Sequence, residues 1–126
     1  MHIIYLKDED MIKEADFPII ALLNEAANDD ILMFIENMNN NVGSGYDYAS
    51  SYFWDELDEY DKEHISKYDG VLIETEDGES LNATYQEMYA YLKMLVDRLT
   101  DDYKDKTLEL LQSFAEKHNI DQNIII

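Results

Sequence analysis

The chain predicts an α+β fold in which four or so helices pack against a small antiparallel sheet, with residues 1–126 forming one domain. Two patterns and one absence predict it. Apolar residues recur at helical spacing on both sides of the middle third, and residues from Val71 to Leu81 alternate in polarity around Asp77-Gly78, a strong hairpin signal. No internal repeat and no Pro- or Ser-rich linker divides the 126 residues, a length usual for one domain. With 46% hydrophobic residues the chain is too apolar for a disordered acidic tail, so a core is expected.

Taken in order, His2–Leu6 (HIIYL) reads as a short edge strand closed by Lys7-Asp8-Glu9-Asp10. Pro18 suits the first turn of a helix, where its missing N–H costs nothing, and Phe17, Ile20, Leu23 and Ala27 follow at helical spacing. Asn28 or Asp29 is expected to cap a second helix, in which Ile31, Phe34, Ile35 and Met38 form one stripe. Asn39-Asn40-Asn41 and Gly43-Ser44-Gly45 end it and open a loop. Val71, Ile73 and Thr75 alternate with Leu72, Glu74 and Glu76 before the hairpin turn. Thr84-Tyr85-Gln86-Glu87 is a capping box for a helix with Tyr85, Met88, Tyr89, Leu92, Leu95, Val96 and Leu99 on one face. Tyr91 and Met94 fall off that stripe and are expected to be exposed. Thr100-Asp101-Asp102 breaks the helix, and a last one carries Thr107, Leu108, Leu111, Phe114, Ala115 and His118. Ile120 and Ile124–Ile126 fit either a strand or a tail.

Charge is the informative total. The chain holds 29 acids against 9 bases, a net charge of −20, and residues 41–80 alone carry twelve acids and two bases. Such a surface repels nucleic acid and anionic lipid and attracts a basic partner or cations. No apolar run is long enough to span a bilayer, no secretory leader is recognisable, and there are no cysteines. A cytoplasmic protein without disulfides or thiolate chemistry is therefore expected.

Chemistry finds little support. A calcium loop of the EF-hand type needs glycine at its sixth position; placing Gly43, Gly45, Gly70 or Gly78 there puts Met38, Asn40, Ile65 or Ile73 first. The Asn40 frame fails at its third and twelfth positions, Val42 and Ser51. Asp61-x-x-His64 lacks the repeated partner motif of a two-metal carboxylate site, so His64 is read as a solvated helix residue. Gly43-Ser44-Gly45 is not a nucleophile elbow, and no glycine loop is built to cradle phosphate. The expectation is a non-enzyme with no cofactor and no metal.

What remains is Gly45–Asp61, GYDYASSYFWDELDEYD, with six aromatics, six acids and no base. Phe53 and Trp54 are expected to bury at least in part, anchoring the segment. Acids alone would give weak, salt-sensitive adhesion worth roughly 0–1 kcal/mol per pair, whereas aromatic or charged anchors in an interface centre reach about 2 kcal/mol or more. The combination favours a protein-binding surface for a basic target over an imitation of DNA phosphates. Tyr46, Asp47, Tyr48, Tyr52, Trp54, Asp55, Glu56, Asp58, Glu59 and Tyr60 are the candidate contact residues.

The order FPIIALLNEAANDDILMFIENM, VGSGYDY, YDGVLIETEDGESL, TYQEMYAYLKMLVDRL and DDYKDKTLELLQSF, over about residues 17–117, resembles the ribonuclease-toxin immunity proteins of bacterial contact-dependent growth inhibition, the CdiI type. The resemblance implies a cytoplasmic inhibitor that binds a toxin's C-terminal nuclease domain stoichiometrically and blocks its active site. Nucleases that handle RNA carry basic clefts, so an acidic blocker fits on physical grounds as well. The alternative is an acidic DNA mimic acting on a nucleic-acid-binding host factor. Neither reading involves direct contact with nucleic acid or membrane.

Overall fold

Pro18 sits in the first turn of helix α1 (Phe17–Asp29), which carries apolar residues nearly all round. Ile19, Leu22, Leu23 and Ala26 are fully buried, because α1 touches the sheet, α2 and α4 at once. A helix hydrophobic on every side is stable only inside, and each such Leu or Ile is worth roughly 1.5–3 kcal/mol in burial. Phe17 leaves the expected stripe and is exposed. The structure is a computed structural model and describes residues 6–99 and 104–120.

Helix α2 (Ile31–Asn39) is capped by Asp30, whose carboxylate accepts the Met33 N–H at 3.1 Å. That corrects the expected cap at Asn28 or Asp29, because α1 continues through both. Phe34, Ile35 and Met38 are buried and Ile31 packs beside them, as its stripe predicts.

The sheet has the order β1-β2-β3, all antiparallel, from β1 (Ala49–Tyr52), β2 (Val71–Thr75) and β3 (Ser80–Ala83). Strand β1 arises inside the aromatic-acidic segment, where no strand was expected. Register pairs Tyr52 with Leu72 and Leu72 with Asn82, and likewise Ser50 with Glu74 and Glu74 with Ser80. Successive side chains alternate faces, so Ala49, Ser51, Val71, Ile73, Thr75 and Ala83 are buried toward α1. The other face presents Ser50, Tyr52, Leu72, Glu74, Ser80 and Asn82 and, among the described residues, stays open. Gly70 enters β2 at φ 98°, and a β-carbon there would lie 2.1 Å from the Ala83 carbonyl oxygen, so the site demands glycine.

The capping box at Thr84 forms as written: Thr84 Oγ1 accepts the Glu87 N–H at 3.0 Å and Glu87 accepts the Thr84 N–H at 2.9 Å. It opens α4 (Tyr85–Asp97), which packs on α1 and on α5 (Lys104–Lys117). A short helix, α3 (Glu59–His64), lies at the surface. Among the described residues, these five helices and three strands make the α+β fold that the sequence predicts.

Tyr91 overturns its expectation. It is fully buried, its hydroxyl donating to the buried Asp16 carboxylate and accepting the Ile12 N–H at 2.7 Å. The chain ahead of α1 folds back over α4 and covers a second side of it. Asp10 clamps Arg98 with two hydrogen bonds of 2.9 and 2.7 Å, and Lys13 reaches Glu87 at 3.0 Å. The Arg98 guanidinium holds the Asp10 carboxyl down at about 2. Burial would raise the Glu87 carboxyl, but hydrogen bonds from Thr84 and Lys13 leave it lowered. Met94, also expected to be exposed, is half-buried against the core. Residues 2–5 of the expected first strand, the break at 100–102 and the Ile124–Ile126 end lie outside the described residues; Leu6 and Ile120 are buried.

Candidate functional site

The chain between α2 and β1 doubles back as a miniature hairpin along the edge of the sheet. Tyr46 N–H donates to the Ala49 carbonyl at 2.9 Å, Ser51 N–H to the Ser44 carbonyl at 2.8 Å, and Gly45 bridges Ser50. A β-carbon on Gly43 would lie 2.1 Å from the Ser51 carbonyl oxygen, which explains the glycine at the hairpin's base. From the core side, Glu25 on α1 accepts the backbone N–H groups of Tyr48 and Ala49 at 3.0 and 2.8 Å. A helix carboxylate thus fixes where the aromatic segment enters β1.

Glu56 locks the other end. Both its carboxylate oxygens accept the Gly43 N–H at 2.9 Å, and one also accepts the Phe53 N–H at 2.9 Å. Its main role is to tie the hairpin to the turn at Trp54–Glu56, although the sequence placed it among the presented acids. Glu56→Ala is expected to cost about 1 kcal/mol and to speed hydrogen exchange at the Gly43 amide selectively. Unchanged Gly43 exchange in that variant would show that the latch carries nothing.

Tyr46 and Tyr48 are fastened at one end each, whereas Tyr52 is exposed. Tyr46 is half-buried, its ring 6.5 Å from Phe34, and burial raises its hydroxyl pKa. Tyr48 donates to Asp77 at 2.8 Å, and Thr75 donates to the same carboxylate at 2.6 Å. Those two bonds, Thr75's first, lower the Asp77 carboxyl, and the bond to Asp77 raises the Tyr48 hydroxyl. The loop is thereby hitched to the β2–β3 turn. Between these anchors Asp47 is exposed. Tyr46, Asp47, Tyr48, Ser50 and Tyr52 together with Glu74 and Glu76 line a shallow concavity on the open side of the sheet. Rings held in place beside uncommitted carboxylates suit a cationic surface, because little side-chain freedom is left to lose on binding.

The remaining candidates lie elsewhere. Phe53 is buried, and Trp54 is partly covered with its ring edge-on to Tyr68 at 5.5 Å, so both anchor the segment as expected. Trp54 and Asp55 border a second recess with Tyr68, Asp69 and Tyr85. Asp58 caps α3 by accepting the Asp61 N–H at 2.8 Å, and Glu59 is exposed on the same short helix. Tyr60 is 67% exposed and stacks on the exposed His64 at 4.1 Å. The ten candidates thus divide among the concavity, the recess and α3, with Glu56 as the tie between hairpin and turn. Residues missed by sequence reasoning are Glu74 from β2 and Glu76 just beyond it, and Tyr68, Asp69 and Tyr85 around the recess. The polar phase of the alternation around β2 was the available signal for the first two.

Among the described residues no cluster of three or more His, Asp or Glu side chains could hold a metal ion. Within the same residues no helix is long and apolar enough to cross a membrane. The architecture is that of a small α+β protein with acids and tyrosines gathered around a shallow concavity at one end of its open sheet face. A family model described as CDI immunity protein, CdiI_4, matches residues 8–113. The chain belongs to that family, the immunity proteins of contact-dependent growth inhibition, whose members neutralise a cognate toxin protein. No curated protein and no solved structure matches the chain.

Proposed function

We propose that the protein acts in the cytoplasm by capturing a basic ribonuclease toxin domain in a stoichiometric complex, using the open sheet face and the Tyr46–Tyr52 hairpin. One observation carries the reading: Asp47, Glu74 and Glu76 converge with Tyr46, Tyr48 and Tyr52 around one concavity on a chain of net charge −20. The acids would pair with lysine and arginine side chains that otherwise hold RNA phosphates, and the rings, two of them fastened, would supply desolvated anchors. Interleaving of ring and acid fits this better than a phosphate mimic, which needs spaced charge without apolar anchors. On this reading the protein is an inhibitor and has no catalytic step of its own.

The test is a titration of the cognate toxin domain with the purified protein while RNA cleavage is followed. Activity is expected to fall linearly and vanish at one equivalent. Cleavage that persists at saturating protein, or a toxin domain that cuts no RNA, would overturn the proposal.

A further inference from the structure

The recess beside Trp54 is separate from the sheet-face concavity and has a different make-up. Three aromatic rings wall it: Trp54 and Tyr68 stand at 87° to each other, 5.5 Å apart, and Tyr85 closes the side. Tyr68 and Tyr85 are each braced from behind. Tyr68 donates its hydroxyl to the Tyr52 carbonyl at 3.0 Å, while Tyr85 stacks on Phe53 at 6.5 Å and on His118 at 3.7 Å. Burial pushes the Tyr68 hydroxyl to about 12 and raises that of Tyr85, with Asp69 and Asp55 adding to the second, so both rings stay neutral. Asp55 and Asp69 are exposed at the recess and Lys67 stands beside them.

Ring faces attract cations, and a guanidinium can stack on an aromatic plane while pairing in-plane with carboxylates. An ammonium can make the second contact but only part of the first. We propose that this recess receives one arginine side chain of the bound toxin, its guanidinium against the partly exposed Trp54 ring, which the buried Tyr68 holds in place, and paired with Asp55 and Asp69. The proposal rests on the reading of the protein as a binder of a basic toxin and adds a specificity-determining subsite to it. Lys67 is the competing resident cation, so its removal favours an incoming guanidinium.

Trp54 is the chain's single tryptophan, so its fluorescence reports on this recess without labelling. The probe is N-acetyl-argininamide, titrated at constant ionic strength against sodium chloride, with N-acetyl-lysinamide in parallel. A saturable change with an apparent Kd on the order of 10 mM is expected for the arginine probe, and a several-fold weaker one for the lysine probe. Asp55→Asn with Asp69→Asn should weaken arginine binding roughly fivefold or more, while Lys67→Ala should tighten it. These are surface positions, so a melting temperature close to the parent's verifies the fold. No saturable change, an equal response in the Asp55→Asn/Asp69→Asn protein, or weaker binding after Lys67→Ala would each overturn the subsite.

No toxin is present in that assay, so its failure leaves the inhibitor reading standing. With the cognate toxin, the double variant is expected to bind about tenfold more weakly while still inhibiting at high concentration. Undiminished affinity there would overturn the subsite while leaving the inhibitor reading intact.

Discussion

Tyr91→Phe is expected to destabilise the protein by about 2–3 kcal/mol, although it removes a single oxygen atom. That oxygen serves one buried group and one half-buried one. Asp16, 2% exposed, accepts its proton, and the Ile12 amide donates to it at 2.7 Å. A ring without the hydroxyl leaves a buried carboxylate and a half-buried amide short of a partner, which costs more than the hydrogen bonds themselves are worth. Against a total stability of roughly 5–15 kcal/mol the loss is large, and it should lower Tm by about 10 °C. Thermal unfolding followed by circular dichroism checks it; a shift under about 2 °C would mean that the hub is not structural. Because Tyr91 ties the segment ahead of α1 to α4, and not to the open sheet face, the folded variant should keep its affinity for toxin.

The reverse pattern is expected when Asp47→Asn, Glu74→Gln and Glu76→Gln are combined. All three side chains are exposed around the concavity, so stability should change by less than about 0.5 kcal/mol per site. Association with the toxin domain should slow about tenfold at low ionic strength, since charges steer encounter before contact forms. The difference from the parent should shrink as salt rises and the Debye length falls from about 30 Å at 10 mM to about 8 Å at 150 mM. Stopped-flow mixing measures both. An association rate unchanged by the three substitutions would remove steering by this face.

The two variants probe features of different legibility. The capping box at Thr84–Glu87, the α2 stripe and the Asp77-Gly78 hairpin were readable because each is specified by neighbours in sequence. Tyr91 was not, because its burial comes from a segment 75–79 positions earlier folding onto a side of α4 that looks free on a helical wheel. Strand β1 was hidden for a similar reason. ASSY has little strand character of its own, and its place is set by pairing with β2 and by Glu25 reaching across from α1. The candidate surface was half legible. The sequence drew attention to Tyr46, Asp47, Tyr48 and Tyr52, but Glu74 and Glu76 join them only through the β1–β2 register. Glu56 shows the converse, an exposed acid in an acidic run whose carboxylate is also bonded to the backbone around it.

On the proposed reading the toxin sits on the open sheet face. Amide hydrogen exchange compared between the free protein and its equimolar complex with the cognate toxin domain tests it most directly. Added protection is predicted at residues 45–52 and 72–76, with α5 and the turn at Asp8–Asp10 unchanged. Protection confined to α5 or the segment ahead of α1, with residues 45–52 exchanging as in the free protein, would contradict it.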